Sequence, residues 1–233
     1  MKNALVTGAS RGIGLAISKK LHSLDFKVHG IARGFKNTQG EDLFSSTHSI
    51  DLSDLGTLDK QISLVLQRIG ELNVVVFNAG VGRFGSLEQF SFSDIDNLLS
   101  VNLTSQIYLS RILVPKLRKQ GFGRLIFIGS QASYEAGRNG AVYCASKFGL
   151  RGFVLALRQS LARSGIQVTL VNPGMTQTDF YANTNFEPGS ETSQHLKTET
   201  IADVIEMLLT VPSSSVVDEI NLTPANHVIH FKK

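Results

Sequence analysis

The chain of 233 residues carries a formal net charge of +4, with 42% hydrophobic and 18% charged residues, which excludes a disordered or fibrous protein and suits a single compact domain. Lys and Arg never run longer than two in a row, so the basic excess reads as a solvated surface and not as a nucleic-acid groove. Cys144 is the single cysteine, which leaves no disulfide framework and fits a reducing cytosol.

No basic-then-apolar leader precedes the first strand-like run, and no apolar stretch reaches membrane-spanning length. A soluble cytoplasmic protein with no membrane partner is therefore expected. In chain order, short β-branched runs at 3–7, 27–32, 47–50, 73–77, 124–129, 166–171 and 216–222 predict strands. Between them, apolar residues recur at three- and four-residue spacing over 12–23, 54–69, 93–119, 141–163 and 198–210, which predicts helices. The strands are nearly continuous in apolar residues, as parallel strands covered on both faces are. The alternation predicts an α/β Rossmann-type fold, doubly wound about a parallel sheet, with one domain over 1–233.

Two stretches break the rhythm. Residues 34–46 hold two Gly and few apolar residues, so the crossover helix expected there is short or replaced by a loop. Residues 179–197 are polar, interrupted by Pro188 and Gly189, and long enough for a lid or binding loop. Phe180, Tyr181 and Phe186 within it either line an apolar substrate pocket or anchor the loop to the core.

The glycines, 21 against five Pro, mark where the backbone does local work. The first strand runs into Thr7-Gly8-Ala9-Ser10-Arg11-Gly12-Ile13-Gly14 and then directly into a helix. Gly at that junction permits a tight turn, lets backbone N–H groups approach a pyrophosphate, and allows the helix to pack closely on the sheet. Strand, loop and helix in that order favour dinucleotide binding. Farther on, Tyr143 and Lys147 stand four residues apart on a predicted helix and share one face. A free phenol is a weak acid near pKa 10, and a cation beside it stabilises the tyrosinate. His227 and His230 lack a third ligand in sequence reach, so a tail strand or loop is expected there and no metal site. Cys144 has no base offered to it and reads as a small packed side chain.

The glycine turn, Asn78-Ala79-Gly80, Ser130 thirteen residues before Tyr143-x-x-x-Lys147, and Pro173-Gly174 resemble the short-chain dehydrogenase/reductase family over nearly the whole chain. The resemblance implies a sheet of about seven strands and assigns roles. The turn from Gly8 through Ser10, Arg11, Gly12, Ile13 and Gly14 would hold the cofactor diphosphate, Asp51 the adenine amino group, and Asn78, Ala79 and Gly80 the adenosine half. Pro173, Gly174 and a following threonine, Thr178 with Thr176 in reserve, would hold the carboxamide and phosphates. Ser130 would bind the substrate carbonyl and Tyr143 donate its proton. Lys147 would tune Tyr143 and hold the nicotinamide ribose, while Asn102 would keep a water linking Lys147 to solvent. Ser133 and Ser146 rank below Ser130 by spacing.

Charge selects the cofactor. An NAD site ends its second strand with a carboxylate, whereas Ala32 and Arg33 stand there in this chain, with Arg11 in the turn and Lys36 as a third candidate cation. NADP(H) is expected, with a ketone or aldehyde and its alcohol as the small-molecule substrate pair. A homodimer or homotetramer is expected by analogy. Competing readings are a 3-oxoacyl-carrier-protein reductase-like enzyme and a non-catalytic NADPH-sensing regulator. Residues 217–224 lack the Asp-Gly-Gly close typical of the former, and the intact set Asn102, Ser130, Tyr143 and Lys147 argues against the latter.

Overall fold

The computed structural model describes residues 1–36, 38 and 40–232; Asn37 and Gln39 of the irregular 34–46 interval lie outside the described residues. The chain runs β1 (Lys2–Thr7), α1 (Gly12–Ser23), β2 (Phe26–Ala32), β3 (Phe44–Ser49), α2 (Leu55–Ile69), β4 (Val74–Phe77), α3 (Phe92–Leu99) and α4 (Ser105–Gln120). It continues through β5 (Gly123–Ile128), α5 (Ala141–Leu161), β6 (Ile166–Pro173), β7 (Phe186–Pro188), α6 (Thr198–Thr210), β8 (Glu219–Leu222) and β9 (Ile229–Phe231). Seven strands form one sheet in the order β3-β2-β1-β4-β5-β6-β8, with every neighbouring pair parallel. The order reverses between β1 and β4, the place where an open α/β sheet leaves a crevice at its carboxyl ends.

Alternation along the buried strands sends successive residues to opposite layers. Leu5, Val75 and Leu125 pack with α2, α4 and α5 through Leu58, Leu109 and Leu150, whereas Val6, Val76 and Ile126 pack with α1 and α6 through Ile17 and Ile205. Phe77 and Phe127 stack across β4 and β5 with centroids 4.1 Å apart. Each side of the central strands is therefore covered, which is why they read as continuous apolar runs.

The structure departs from the sequence expectation at β3 and along the helix predicted over 93–119. β3 begins at Phe44, not at residue 47, because as an edge strand it is covered on one face only and alternates, with Phe44, Ser46 and His48 less exposed than Ser45, Thr47 and Ser49. In 34–46, among the described residues, a short 3-10 turn at Glu41–Leu43 takes the place of a full crossover helix, as the two Gly and few apolar residues predict. The predicted helix over 93–119 is α3 and α4 joined by a π turn at Ser100–Thr104. α2 opens with Asp54 in its N-cap position. Beyond the central sheet, β7 pairs antiparallel with β9, so the loop over 179–197 is tied to the tail that carries His227 and His230.

Candidate active site

Gly8 and Gly12 adopt φ of +66° and +55°, the left-handed region that glycine enters without cost. Gly14 serves a different need: a Cβ there would sit 2.1 Å from the Gly8 carbonyl oxygen and 2.5 Å from Asn78 Nδ2. Asn78 Nδ2 donates to the carbonyls of Thr7 (3.0 Å) and Gly8 (3.2 Å), and Thr7 Oγ1 accepts the N–H groups of Asn78 and Ala79, both at 3.0 Å. The end of β4 thus clamps the turn that follows β1. Gly14→Ala is expected to displace the turn and lower stability by about 1–3 kcal/mol, read as a fall in the urea midpoint; an unchanged midpoint would show that the turn tolerates a methyl group.

A cavity of about 650 Å³ opens along the carboxyl ends of the strands. Arg33 after β2, the turn residues Gly8, Ser10, Arg11, Gly12 and Ile13 after β1, Asn78 to Gly80 after β4, Ser130 after β5, and Pro173, Gly174, Thr176 and Thr178 at and after the end of β6 all line it, with Lys36, Asp51, Tyr143 and Lys147. Of the residues singled out from sequence, Gly14 and Asn102 stand behind the wall. Arg11 and Arg33 are exposed and Ala32 is buried. Asp51 accepts the N–H (2.9 Å) and hydroxyl (2.7 Å) of Ser53. Those bonds, aided by the charge of Arg33, hold its carboxyl below the ordinary range. Thr178 packs on the turn: a Cβ at Gly12 would lie 3.5 Å from Thr178 Cγ2. Thr176 is buried, and its hydroxyl donates to the Gly174 carbonyl at 3.0 Å.

Tyr143 and Lys147 occupy one face of α5, with relative exposures of 7% and 4%. Lys147 Nζ lies 5.9 Å from the Tyr143 ring centroid and donates to the Ile128 carbonyl at 3.2 Å. Burial pushes the lysine down to about 8. It also pushes the tyrosine above its ordinary value, while the Ser130 hydroxyl acts in the opposite direction. This corrects the expectation of a phenol lowered by its lysine. Desolvation disfavours the charged form of both groups, and at Tyr143 it outweighs the Ser130 hydrogen bond.

Ser130 Oγ accepts from the Ala132 N–H at 3.1 Å. Its own N–H is held by Ser133 Oγ (3.1 Å) and Asn172 Oδ1 (3.3 Å). Asn172 Nδ2 donates to Glu219 (2.7 Å) and Asn221 (2.9 Å) on β8, and Glu219 takes a forked pair from Arg151 of α5. Helix, edge strand and serine are thereby braced together. Ser133 and Ser146 are structural: Ser146 Oγ donates to the Tyr143 carbonyl at 2.7 Å and accepts from Asn102 Nδ2 at 3.2 Å.

Asn102 lies in the π turn, fully buried. Its amide pairs reciprocally with Val81, accepting the N–H at 2.8 Å and donating to the carbonyl at 2.9 Å. The wide turn makes room for that pairing, as π turns often do at functional sites. A Cβ at Gly80 would lie 3.4 Å from Asn102 Oδ1 and 3.7 Å from Lys147 Nζ, so the amide and ammonium flank the same glycine.

The cavity beside Tyr143 is walled by aromatic residues. Phe84 and Phe180 approach Tyr143 with ring centroids 5.0 and 6.0 Å away, and Phe186 lies 4.9 Å from Phe84. Phe180 occupies the space a side chain at Gly82 would need, 2.4 Å from that Cβ. Of the loop aromatics, Phe180 and Tyr181 line the cavity, and Phe186 packs on Phe84 and Tyr181 outside the lining. Sequence reasoning missed Phe84, Asn172 and Glu219. Phe84 was signalled only by Gly82 and Gly85 flanking it, and Asn172 only by being a polar residue in an apolar strand. Among the described residues, no helix is long and apolar enough to cross a membrane, and no three His, Cys, Asp or Glu are placed to hold a metal ion.

A family model described as short chain dehydrogenase matches residues 2–188. Sepiapterin reductase of Chlorobaculum tepidum is 30% identical over 236 residues, covering 95% of this chain and 96% of that protein. Among solved structures, a metagenomic short-chain oxidoreductase in complex with NADP is 31% identical with a TM-score of 0.82, covering 96% of each chain. An alcohol dehydrogenase from Thermococcus sibiricus, complexed with 5-hydroxy-NADP, is 28% identical with a TM-score of 0.84, covering 95% of this chain and 96% of that one. Because the matched span begins in β1, takes in the braced serine and the buried Tyr143–Lys147 pair, and ends in the aromatic loop, the chain belongs to the short-chain dehydrogenase family of oxidoreductases.

Proposed function

We propose that the chain reduces a ketone or aldehyde to an alcohol with NADPH. The observation that carries the reading is the continuity of one cavity from two exposed arginines, across the glycine turn, to a buried tyrosine and lysine beside a serine.

The residues fit the cofactor. The left-handed glycines and the side-chain-free contact at Gly14 leave backbone where a diphosphate needs it. Gly8, Ser10, Gly12 and Ile13 would hold the diphosphate, Arg11 and Arg33 a 2′-phosphate, Asp51 and Asn78 to Gly80 the adenosine, and Pro173, Gly174, Thr176 and Thr178 the nicotinamide side. When bound, the nicotinamide supplies the hydride that the carbonyl carbon accepts. Ser130 Oγ hydrogen-bonds the carbonyl oxygen and fixes its orientation. Tyr143 gives that oxygen its phenolic proton and becomes tyrosinate. Lys147, at about 8 in its buried site, exchanges a proton near neutral pH and resets the phenol. Asn102, whose amide flanks Gly80 together with the ammonium, would keep a water that links Lys147 to solvent.

The test is NADPH oxidation against a panel of ketones, aldehydes, quinones and acyl thioesters, with NADH as the control. NADPH is expected to be strongly preferred, and equal use of NADH would overturn the arginine assignment. Arg11→Ala and Arg33→Ala are each expected to raise the NADPH KM by roughly 10- to 100-fold, the worth of a charge-assisted hydrogen bond, while the NADH KM stays level. Self-association as a dimer or tetramer belongs to the same reading, since α4 and α5 leave Tyr108 and Phe148 exposed; light scattering that gives a monomer at micromolar concentration would remove it.

A further inference from the structure

The loop over the reacting end of the cavity is not self-supporting. Its strand β7 has three residues, and the strand that pairs with it, β9, also has three, all exposed. A two-stranded ribbon of that length is marginal in water, and Phe231 is 75% exposed, so apolar packing does not hold β9 in place. Polar ties do. The Gly189 N–H donates to the Val228 carbonyl (3.1 Å), and the Lys232 N–H donates to the Asn185 carbonyl (2.9 Å). Lys232 Nζ donates to the Tyr181 carbonyl (2.5 Å) and stands 3.7 Å from the Glu187 carboxylate. At the far end of the loop, the Asn226 N–H donates to the Ser193 carbonyl (2.8 Å). The tied segment carries Tyr181 and Phe186. Phe186 meets Phe84, which meets Tyr143. Two aromatic contacts therefore connect the tail to the reacting phenol. The family model ends at residue 188, and every tail residue in these ties lies beyond it.

Resting on the carbonyl-reductase reading above, we propose that the C-terminal tail, through β9 and above all Lys232, is a substrate-positioning element: it fastens the aromatic loop against Phe84 and Tyr143 and so sets which carbonyl compounds reach the phenol. Lys232 acts through the loop backbone and touches neither substrate nor cofactor. Unfastened, Phe186 lifts away from Phe84 and Tyr181 moves with it, the wall facing a substrate's apolar group is lost, and selection between large and small carbonyls weakens. The cofactor side of the cavity keeps its walls.

Two variants test this, a chain ending at Ala225 and the full chain with Lys232→Ala. Because β9 contributes no residue to either main core cluster, both are expected to keep the parent's circular dichroism. The first readout is chymotrypsin cleavage after Phe180, Tyr181 or Phe186, expected to be at least tenfold faster in the shortened chain and a few-fold faster in Lys232→Ala. The second is a kcat and KM split with an aryl ketone and a short aliphatic ketone. The aryl-ketone KM is expected to rise about tenfold, kcat to change less than twofold, and NADPH binding, followed by its fluorescence, to stay within twofold. Loop cleavage that is unchanged in the shortened chain overturns the proposal whether or not a substrate has been found. So does a tenfold loss of NADPH binding in either variant, which would make the tail a general prop of the fold. Failure of the parent to oxidise NADPH with any carbonyl refutes the functional reading instead, and the cleavage readout still decides the fastening.

Discussion

Tyr143→Phe is expected to lower kcat/KM for carbonyl reduction by roughly 10²- to 10⁴-fold, the contribution of a positioned general acid. The substitution removes one oxygen and keeps the ring that packs between Phe84 and Phe180. Fold and NADPH affinity should therefore match the parent, and the loss should fall on kcat. Burial keeps Tyr143 protonated across the neutral range, which suits a donor. Lys147 at about 8 gives the pH profile its alkaline limb: as pH rises past that value the ammonium is lost, the phenol is no longer reset, and reduction slows. Stopped-flow NADPH oxidation with the parent and the Phe variant measures both effects. A Phe variant within tenfold of the parent would remove Tyr143 from the chemistry.

Acid should unfold this protein through a pair of histidines far from the site. His29 on β2 is 7% exposed, and burial, aided by the charges of His48 and Lys27, pushes it down to about 4. Its Nδ1 meets Ser46 Oγ at 2.7 Å and its Nε2 meets Asn3 Oδ1 at 3.2 Å, while Ser46 Oγ meets His48 Nε2 at 2.8 Å. His48 is also lowered, by burial and then by Arg68. An unfolded histidine titrates near 6.5. Between that value and about 4 the unfolded chain binds a proton that the folded chain refuses, so this stabilisation is complete above pH 6.5 and is lost as pH falls. The His29 shift corresponds to about 3 kcal/mol, and His48 adds in the same direction. Urea midpoints at pH 7.5 and 4.5 measure it, and His29→Gln should flatten the difference. Equal midpoints for the parent would show that the unfolded chain gains no more protons than the folded one in this range.

The central fold was legible because its signals are local. Val74 to Phe77 is an apolar run between turn residues, and the glycine turn announces itself by spacing that few other structures need. Tyr143 and Lys147 were legible because four residues along a helix is a fixed geometry. The protonation of that pair was not, since burial depends on Phe84 and the loop around Phe180, both distant in sequence. The π turn at Ser100–Thr104 escaped because Leu98, Val101, Ser105 and Leu109 keep a helical rhythm across it. The bond that opens it joins Asn102 to Val81, twenty-one residues away. β7 and β9 escaped for the same reason: three residues carry no periodicity, and their pairing spans some forty positions.

The brace from Arg151 through Glu219 and Asn172 to the Ser130 N–H has a consequence for the order in which the protein matures. Every part of the glycine turn and its Asn78 clamp lies in the first eighty residues, so that half of the crevice is synthesised early. Glu219 and Asn221 arrive about ninety residues after the serine they steady. Until the edge strand docks, Asn172 lacks both of its acceptors and the serine N–H is anchored on one side only. The half of the crevice that would hold a diphosphate is thus encoded before the half that would hold the nicotinamide, and the last strand of the sheet completes the brace on the serine.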